Sequence, residues 1–578
     1  MSDAVVTALI AEVQSLHRRL SSLEAAEYVG QASSLKPWFD VKRYGATGDG
    51  AADDRAKFAA AVADCATAGG GVVHVPSGTY LVDTDSYADA ISLPSNCHLM
   101  MAPDAVLQLA TLDAGDNNHA VFRINGADNV HVSGGEIVGQ RTGPSSGENG
   151  FAFYITGGST NVLIENVHIS DMWGDGIYIG GTLNSHVTVR KCWIENCRRQ
   201  GITIVNAENV TIEDNTIEDI NGTNPQAGID VEPNAGQSVS DVRIICNRIE
   251  NCVGSEIYLN RGLGDAVTDC IVQSNRIDGR IACSGTEECI VANNRAAQIN
   301  SQIDENIQIV GNTVKNSPSY GIYHEGGAGG ACVNNIIISP ADHGIYWRHY
   351  GGGGYYPWGG VIADNYVYNP ANGGTSAQGN GINVQYARNL SIKGNVVELA
   401  NLSGIYLAFC ESLQVAKNIL AGCGQQSGST YSGIQLMGSS SKCNIQGNTI
   451  RDSIARDTGT AQAGTDNTIQ LATTAHSVDD WYNGLQIAIT GGTGSGQSKT
   501  ITDYVGSTRT ATVDSDWATN PDATSTYEVG NAIRTYYGIR IATGCVGNLV
   551  TNNDLLEVNT PLSDAGTGTV TTSGNRTA

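Results

Sequence analysis

A repeated pattern built around asparagine constrains the fold of this chain more than any other feature. Segments such as "NVTIEDNTI" at 209–217, "NIQIVGNTV" at 306–314 and "NLSIKGNVV" at 389–397 alternate apolar and other residues up to a shared Asn. Successive copies of that Asn stand 18 to 32 residues apart up to residue 448. Short repeats that cannot bury an apolar face alone are typical of stacked solenoids. The shared position is occupied by Asn215, Asn247, Asn275, Asn294, Asn312, Asn335, Asn365, Asn395, Asn418, Asn448 and Asn553.

A second kind of segment, beginning with Gly-Ile, follows the first. Examples are "GIYI" at 176, "GITI" at 201, "GIYH" at 321, "GIYW" at 344 and "GIYL" at 404. Longer loops precede "GIDV" at 228, "GINV" at 381 and "GIQL" at 433. The alternation of apolar residues indicates a half-buried strand.

Together these segments predict three strands per coil. The Asn is expected at a bend, where Asn tolerates a left-handed backbone and its amide can bond the Asn of the next coil. One strand on each side of the bend and the Gly-Ile strand complete the coil. The predicted fold is all-β, a right-handed parallel β-helix of about a dozen coils with an Asn ladder.

Four regions are predicted along the chain. In residues 1–30 an apolar heptad seam (Val6, Leu9, Val13, Leu16, Leu20, Leu23) indicates a coiled-coil stalk, although one amphipathic helix packed on its own domain would give the same pattern. Residues 38–452 form the β-helix, whose first coil is covered by a helix burying Phe58, Val62 and Cys65. Residues 453–530 are an inserted small β module, and 531–578 are terminal coils.

Charge and composition exclude several partners. A formal net charge of −25 argues against nucleic acid and against adhesion to an anionic membrane. No stretch is long and apolar enough to insert into a membrane, and the N-terminus does not read as a signal peptide. The 14 cysteines then indicate free, buried thiols made in a reducing cytosol, since no metal-ligand spacing is present.

The segment "YGATGDGAADDRAKFAAAVADCATAGGGVVHVPSGTYLV" at 44–82 resembles the opening motif of pectate-lyase-superfamily β-helices. That superfamily includes bacteriophage tailspike depolymerases, polygalacturonase-like hydrolases and uronate epimerases. The resemblance covers residues 38 to about 450 and implies a substrate groove along the Gly-Ile sheet. It also implies a virion protein made in the bacterial cytoplasm, a homotrimer joined through residues 6–27 and the β-helix, and a polysaccharide substrate. No cofactor is expected, although superfamily lyases often use calcium.

One pair of acids interrupts the repeat, in "GTNPQAGIDVEPN" at 222–234. Alternation points Asp230 and Glu232 outward on one strand, with backbones ~6.5–7 Å apart. That separation suits the acid and base of an inverting glycoside hydrolase, with the loop Thr223–Gln226 overhanging them. Glu256, one coil up, and Asp175, two coils down, are further catalytic candidates, although outward acids on a β-helix are commonly only solvating charges.

A row of tyrosines at one outward position predicts a carbohydrate track, because exposed rings stack on sugar faces, although tyrosine is also common in strands for its β propensity alone. The row contains Tyr178, Tyr258, Tyr323, Tyr346 and Tyr406. Additional binding candidates are Trp173, His343, Glu325 and Arg348, the last suited to an acidic sugar. His324 and Trp347 fall on the inward phase and are expected in the core.

Three functions remain open on these residues. The first is a polysaccharide-degrading tailspike-like glycoside hydrolase that uses Asp230 and Glu232. The second is a lyase or uronate epimerase, in which Tyr323, Tyr346 or His343 takes a proton while Arg348 neutralises a carboxylate. The third is a fibre that binds glycan without catalysis.

Overall fold

The computed structural model describes residues 37–113, 115, 118–142, 147–348, 359–371, 378–424, 431–451, 457–530, 537–556, 558, 560–571 and 574–577. The predicted coiled-coil stalk at 1–30 lies outside these residues. The described chain is nearly all β-strand, and it divides into two compact units, Met1–Arg199 and Gln200–Ala578. Within the described residues, no helix has the length and apolar character needed to cross a membrane.

The first unit contains three parallel sheets, which we name the first sheet, the second sheet and the Gly-Ile sheet in the order in which a coil visits them. The first sheet comprises Trp38–Asp40, Gly71–Val75, Cys97–Met101, Asp128–Ser133, Thr160–Glu165 and Asn184–Arg190. The second comprises Asp49–Asp53, Gly78–Val82, Ala105–Leu109, Glu136–Val138, His168–Ser170 and Trp193–Glu195. The Gly-Ile sheet comprises Ile91–Ser92, Asn118–Asn125, Asn149–Thr156 and Asp175–Ile179.

An α-helix, Arg55–Thr67, lies between the first coils of this unit and follows the 3₁₀ helix Val41–Tyr44. It buries Phe58, Val62 and Cys65, the residues predicted from its apolar spacing. The ring of Phe58 packs edge-on against Tyr80 at a centroid distance of 5.4 Å. The helix thus supplies apolar contacts to strands that have no preceding coil to pack on.

The second unit repeats the same three-strand coil. Its first sheet comprises Ala207–Glu213, Ser238–Ile245, Ala266–Thr268, Ile271–Gln273, Ile290–Ala292, Gln308–Val310, Ala331–Val333, Val361–Ala363, Ser391–Lys393, Gln414–Ala416, Asn444–Gln446, Leu549–Thr551 and Val570–Thr571. Its second sheet comprises Thr216–Glu218, Arg248–Glu250, Arg276–Ile277, Arg295–Ala296, Thr313–Lys315, Ile336–Ile338, Tyr366–Tyr368, Val396–Glu398, Ile419–Ala421, Thr449–Arg451, Asp554–Leu556 and Arg576–Thr577. Its Gly-Ile sheet comprises Gln200–Ile204, Ile229–Val231, Ile257–Asn260, Arg280–Ser284, Gln298–Gln302, Ile322–Glu325, Ile345–Arg348, Ile382–Gln385, Ile405–Ala408, Ser432–Met437, Tyr537–Ile541 and Thr560–Asp564.

The right-handed parallel β-helix predicted from the repeat is confirmed, and its inward positions form continuous apolar columns. In the Gly-Ile sheet of the second unit, one isoleucine from each coil occupies the same register position and is fully buried. These residues are Ile202, Ile229, Ile257, Ile281, Ile299, Ile322, Ile345, Ile382, Ile405, Ile434 and Ile539. Burial of each side chain contributes roughly 1.5–3 kcal/mol.

The predicted Asn ladder links the coils between the first and second sheets. Each buried Asn accepts hydrogen bonds on Oδ1 from the backbone N–H and the side-chain amide of the Asn in the preceding coil. At Asn247 these two bonds, from Asn215, both measure 3.0 Å. The chain of bonds continues without interruption to Asn575, a ladder member that the sequence pattern missed.

The prediction that the ladder Asn itself has a left-handed backbone is wrong. The residue just before it adopts positive φ instead, as in Asp214 (55°), Cys246 (57°) and Asn334 (58°). The ladder Asn directly precedes the next strand, and its buried side-chain amide bonds the neighbouring coils. The left-handed residue makes the bend and leaves the Asn free to bond.

Residues 457–530 form a separate seven-stranded antiparallel sheet in the second unit. Its strands are Asp457–Thr460, Ala463–Gly464, Thr468–Gln470, Gln486–Gly491, Ser498–Val505, Thr510–Val513 and Thr526–Gly530. A core of its own contains Ile487, Tyr504, Trp517 and Tyr527. The sheet's pairing and core therefore differ from those of the coils.

We predict that Asn312→Ala lowers the free energy of unfolding of the second unit by about 2–3 kcal/mol. The change removes acceptors from the N–H and amide of Asn294 and leaves the carbonyl of Val291 without its donor, all in a buried setting. Urea unfolding followed by circular dichroism measures the loss. Asn234→Ala, at an exposed turn, is the control and should change stability by less than about 0.5 kcal/mol.

Candidate functional site

One outward position runs through the Gly-Ile sheet of the second unit and carries most of the predicted site. In register order it contains Thr203, Asp230, Tyr258, Ala282, Asn300, Tyr323, Tyr346, Asn383, Tyr406, Gln435 and Arg540. Asp230 therefore lies beside Tyr258, as predicted. The tyrosines do not form a continuous row, because Ala282, Asn300 and Asn383 separate them.

Asp230 points away from the apolar column but has no exposed surface, and this corrects the prediction of an open carboxylate pair. The reason is Gln200, whose side chain folds over the outer face. Its amide donates to Asp230 Oδ2, and its carbonyl accepts from the Thr203 hydroxyl. A water molecule between Asp230 and Glu232 therefore has no access to Asp230 in this arrangement.

Glu232 and Glu256 are arranged differently from Asp230. Glu232 is half-buried, and its Oε1 accepts from Asn260 Nδ2 at 3.1 Å. Glu256 takes the place that Gly has in most coils, and its carboxylate accepts from the Arg280 N–H. A Cβ on Gly279 would collide with that carboxylate, so this glycine makes room for it. Burial raises the pKa of Glu256 to about 7.

Asp175 and Trp173 lie in the first unit and are buried. Asp175 Oδ2 is 3.1 Å from Arg199 Nη1, and the guanidinium of Arg198 lies 3.7 Å from the ring centroid of Trp173. Asp175 is therefore held in an ion pair, and Trp173 is covered by an arginine side chain. Neither presents the open surface that was predicted for a catalytic acid or a sugar platform.

A groove of about 300 Å³ lies on the Gly-Ile face of the second unit. Among the described residues, its walls carry aromatic rings, neutral amides and one neutral imidazole, and no carboxylate, lysine or arginine side chain. It is lined by Tyr320, His343, Tyr346, Gln378, Asn380, Asn383, Gln385, Leu402, Tyr406, Tyr431 and Gln435. Tyr346, Tyr406 and His343 were predicted from the sequence, and the other lining residues were not.

His343 is held as a neutral hydrogen-bond donor in this groove. Its Nδ1 accepts from the backbone N–H groups of Gly379 and Asn380, at 3.2 and 3.0 Å. The remaining proton is therefore on Nε2, which lies 2.6 Å from the Asn383 amide group and donates to it when that amide turns its oxygen toward the ring. Burial lowers the pKa of His343 to about 3. The imidazole has no free lone pair with which to take a proton from a substrate.

Glu325, Arg348 and two tyrosines form a closed polar cluster beside the groove. The Glu325 carboxylate accepts from the Tyr323 hydroxyl and from Arg348 Nη2. Arg348 Nη1 lies 3.4 Å from the Tyr346 hydroxyl. Burial and Glu325 together raise the pKa of Tyr323. Tyr323, Tyr346 and Glu325 are each mostly buried, so the prediction of exposed rings at these positions is wrong.

The resemblance to superfamily lyases raises the question of a calcium site. Over the residues that the structure describes, no three His, Cys, Asp or Glu side chains come together in a group that could hold a metal ion.

All 14 cysteines are free thiols, and 12 of them are buried, with Cys246 exposed and Cys252 half-buried. His324 and Trp347 are buried in the column, as their phase predicted.

Some of the missed groove residues were within reach of the sequence pattern. Asn383 in "GINV" and Gln435 in "GIQL" occupy the same position as the tyrosines. Extending the Gly-Ile alignment to polar residues would have placed both on the groove wall. Tyr320, Gln378 and Tyr431 lie in loops, where the repeat gives no position.

The sequence of the coils matches a known protein family. Residues 85–238 and 296–474, more than half of the chain, match the family described as right handed beta helix region. Residues 38–100 match the family described as rhamnogalacturonase A/epimerase, pectate lyase-like.

Three individual proteins illustrate the similarity. An SPbeta prophage-derived uncharacterized protein, YorA, of Bacillus subtilis is 35% identical over 28% of this chain and 32% of its own length. Mannuronan C5-epimerase AlgE4 of Azotobacter vinelandii is 32% identical over 24% of this chain and 27% of its own length. The tailspike protein of E. coli bacteriophage HK620, solved in complex with pentasaccharide, is 15% identical, with a TM-score of 0.47 over 86% of this chain and 93% of that one. The chain spans less than half the length of the curated relatives it matches.

The raised pKa of Glu256 predicts a pH-dependent loss of stability. The native state holds this proton to about pH 7, whereas an unfolded glutamate releases it near pH 4.5. Stability contributed by the protonated group is complete below about pH 4.5 and is lost progressively as the pH rises through about 7, by at most about 3 kcal/mol. Glu256→Gln should remove this loss, so urea unfolding at pH 5 and pH 8 should differ less in the variant than in the wild type. Glu287→Gln, at an exposed position, should leave the wild-type difference unchanged.

Proposed function

Because the chain belongs to the right-handed β-helix family, we propose that it binds a polysaccharide on the outer face of its Gly-Ile sheet. The observation that carries the proposal is the groove of about 300 Å³ in the second unit. Tyr320 and Tyr406, which are half-buried, offer rings for the apolar faces of sugars, and Asn380, Asn383 and Gln435 offer donors and acceptors for hydroxyl groups. Its neutral walls suit an uncharged stretch of glycan.

The relatives support a carbohydrate ligand. One is named as an epimerase of mannuronan, a polysaccharide, and the named tailspike was solved with a bound pentasaccharide. The prophage origin of a third relative supports a place on a bacteriophage particle. We therefore propose a virion spike or fibre, with the heptad seam at residues 6–27 joining three copies.

Hydrolysis of a glycosidic bond is the finer proposal. Glu256, with its pKa near 7, keeps the proton that a general acid needs at neutral pH, and donating it to the leaving oxygen requires that a glycan displace the neighbours that bury this carboxyl group. Glu232, half-buried and bonded to Asn260, is suited to take a proton from the attacking water. Asp230, covered by Gln200, is left out of the proposed pair.

The lyase or epimerase alternative needs a group that removes a proton from carbon. His343 is unsuited, because its Nδ1 already accepts two hydrogen bonds and its Nε2 carries the proton. Tyr323 is bonded to Glu325, and its raised pKa disfavours the phenolate. Arg348 is neutralised by Glu325 rather than free for a uronate.

Binding in the groove is tested with the full chain on an array of bacterial surface polysaccharides. Tyr406→Ala should weaken binding to any glycan captured by the wild type by about tenfold or more, because a stacking ring is lost. Tyr366→Ala, on the second sheet, is the matched control and should bind like the wild type. Equal binding by both variants and the wild type would place the glycan elsewhere, and an array without any captured glycan would contradict the proposal.

Catalysis is tested by the release of reducing ends from a glycan that the wild type binds. Glu232→Gln and Glu256→Gln should each lower the rate by about 100-fold or more while binding stays within about threefold, since a proton donor or acceptor is removed. Glu250→Gln, on the second sheet, is the control. Products that absorb in the ultraviolet would indicate a lyase, and a glycan that is bound but never shortened would indicate a binding fibre.

A further inference from the structure

A second aromatic surface lies in the first unit, apart from the groove residues. Tyr87, from the loop before Ile91–Ser92, packs on Phe151 and Tyr154 at centroid distances of 6.0 and 4.9 Å. Phe151 in turn packs on Tyr178 at 4.8 Å, and Tyr154 meets Tyr178 edge-on at 5.6 Å. Four rings thus form one continuous surface, of which Phe151 is the buried base.

The three tyrosines of this surface are only half-buried. Among the described residues, no hydrogen bond ties the hydroxyl of Tyr87, Tyr154 or Tyr178 to a protein partner. In the second unit, by contrast, the Tyr323 hydroxyl is bonded to Glu325. The hydroxyls of the first unit are therefore available to bond a ligand.

Arg123 gives the surface a positive charge. It occupies the same outward register position as Tyr154 and Tyr178, and its guanidinium lies 5.8 Å from the Tyr154 centroid. Its Nε is buried without a hydrogen-bond partner. Within the part of the chain that the structure describes, no carboxylate forms an ion pair with Arg123. Asp175, the acid that acts on the same tyrosines, is already paired with Arg199.

We propose that Arg123 and the rings of Tyr87, Tyr154 and Tyr178 form a binding site for the carboxylate-bearing residue of an acidic polysaccharide. The guanidinium presents donors in a fork that matches a carboxylate, and satisfying the buried Nε–H is worth more than a contact at an exposed lysine. The rings contact the apolar face of the same sugar. The proposal rests on the proposed function only in taking carbohydrate as the ligand.

The chemistry of this site differs from that of the groove in the second unit. There Arg348 is neutralised by Glu325, and the groove walls are uncharged. An acidic sugar would therefore be recognised in the first unit and an uncharged one in the second.

The test is isothermal titration calorimetry of the full chain with tetramannuronate and with mannotetraose, which has the same hexose without the carboxylate. The wild type should bind tetramannuronate at least about tenfold more tightly than mannotetraose at low salt. Arg123→Met should abolish that difference, and Tyr154→Ala should weaken both. Arg43→Met, at an exposed arginine of the 3₁₀ helix, is the control and should behave like the wild type.

Arg123→Lys provides a second variant if Arg123→Met does not fold. It keeps the charge but lacks the fork and the Nε–H, so it should retain less than about a third of the wild-type affinity for tetramannuronate. The proposal is wrong if either Arg123 variant binds tetramannuronate as tightly as the wild type does. It is also wrong if the wild type binds tetramannuronate and mannotetraose equally tightly. Tyr406→Ala separates this outcome from a failure of the groove: it should leave tetramannuronate binding unchanged while weakening capture of the array glycans.

Discussion

Hydrogen bonds between buried asparagine amides fix the position of every coil in the second unit. Each ladder Asn spans the coils on either side, accepting from one neighbour and donating to the other, while its Nδ2 also reaches a backbone carbonyl, as Asn312 does to Val291. A slip of one residue would leave several polar groups buried without partners, which costs about 1–3 kcal/mol for each. The amides therefore set the register in which the isoleucines stack, and the stacked isoleucines provide most of the apolar burial.

This register determines which residues face outward on the Gly-Ile sheet. Because Ile229 and Val231 point inward, Asp230 between them points to the outer face of the sheet, where Tyr258 also lies. Glycine at the strand entrance has a related cause: a Cβ on Gly344 would lie 2.6 Å from the carbonyl oxygen of Gly381 in the next coil. Glu256 departs from that glycine rule, and Gly279 in the next coil provides the space for its carboxylate.

The sequence therefore predicted the features that repeat and failed on those that do not. The coil, the ladder, the inward phase of His324 and Trp347 and the outward phase of Asp230 all follow from periodicity. Solvent exposure does not follow from it, because a single side chain can cover an outward position. Gln200 covers Asp230, Arg198 covers Trp173, and the ion pair of Glu325 with Arg348 closes over Tyr323. Gln200, Glu325 and Arg348 lie on strands of the Gly-Ile sheet and Arg198 lies in a bend, and the repeat does not specify which neighbour each of these long side chains contacts. The loop residues Tyr320 and Tyr431 were missed because the repeat gives loops no position.

Outward charges on this protein divide into those that the protein neutralises and those that it leaves for a ligand. Asp175 with Arg199 and Glu325 with Arg348 are pairs, so their removal would expose an unbalanced buried charge and would test stability as much as binding. Arg123 has no such partner among the described residues, and its guanidinium lies 5.8 Å from the centroid of the Tyr154 ring. On a chain with a net charge of −25, carboxylates to pair with an arginine are abundant. Arg123 lies beside tyrosine rings without a carboxylate partner, so we expect the negative charge to come from a ligand. The half-buried rings favour a ligand that carries this charge on a molecule with an apolar face, such as a sugar.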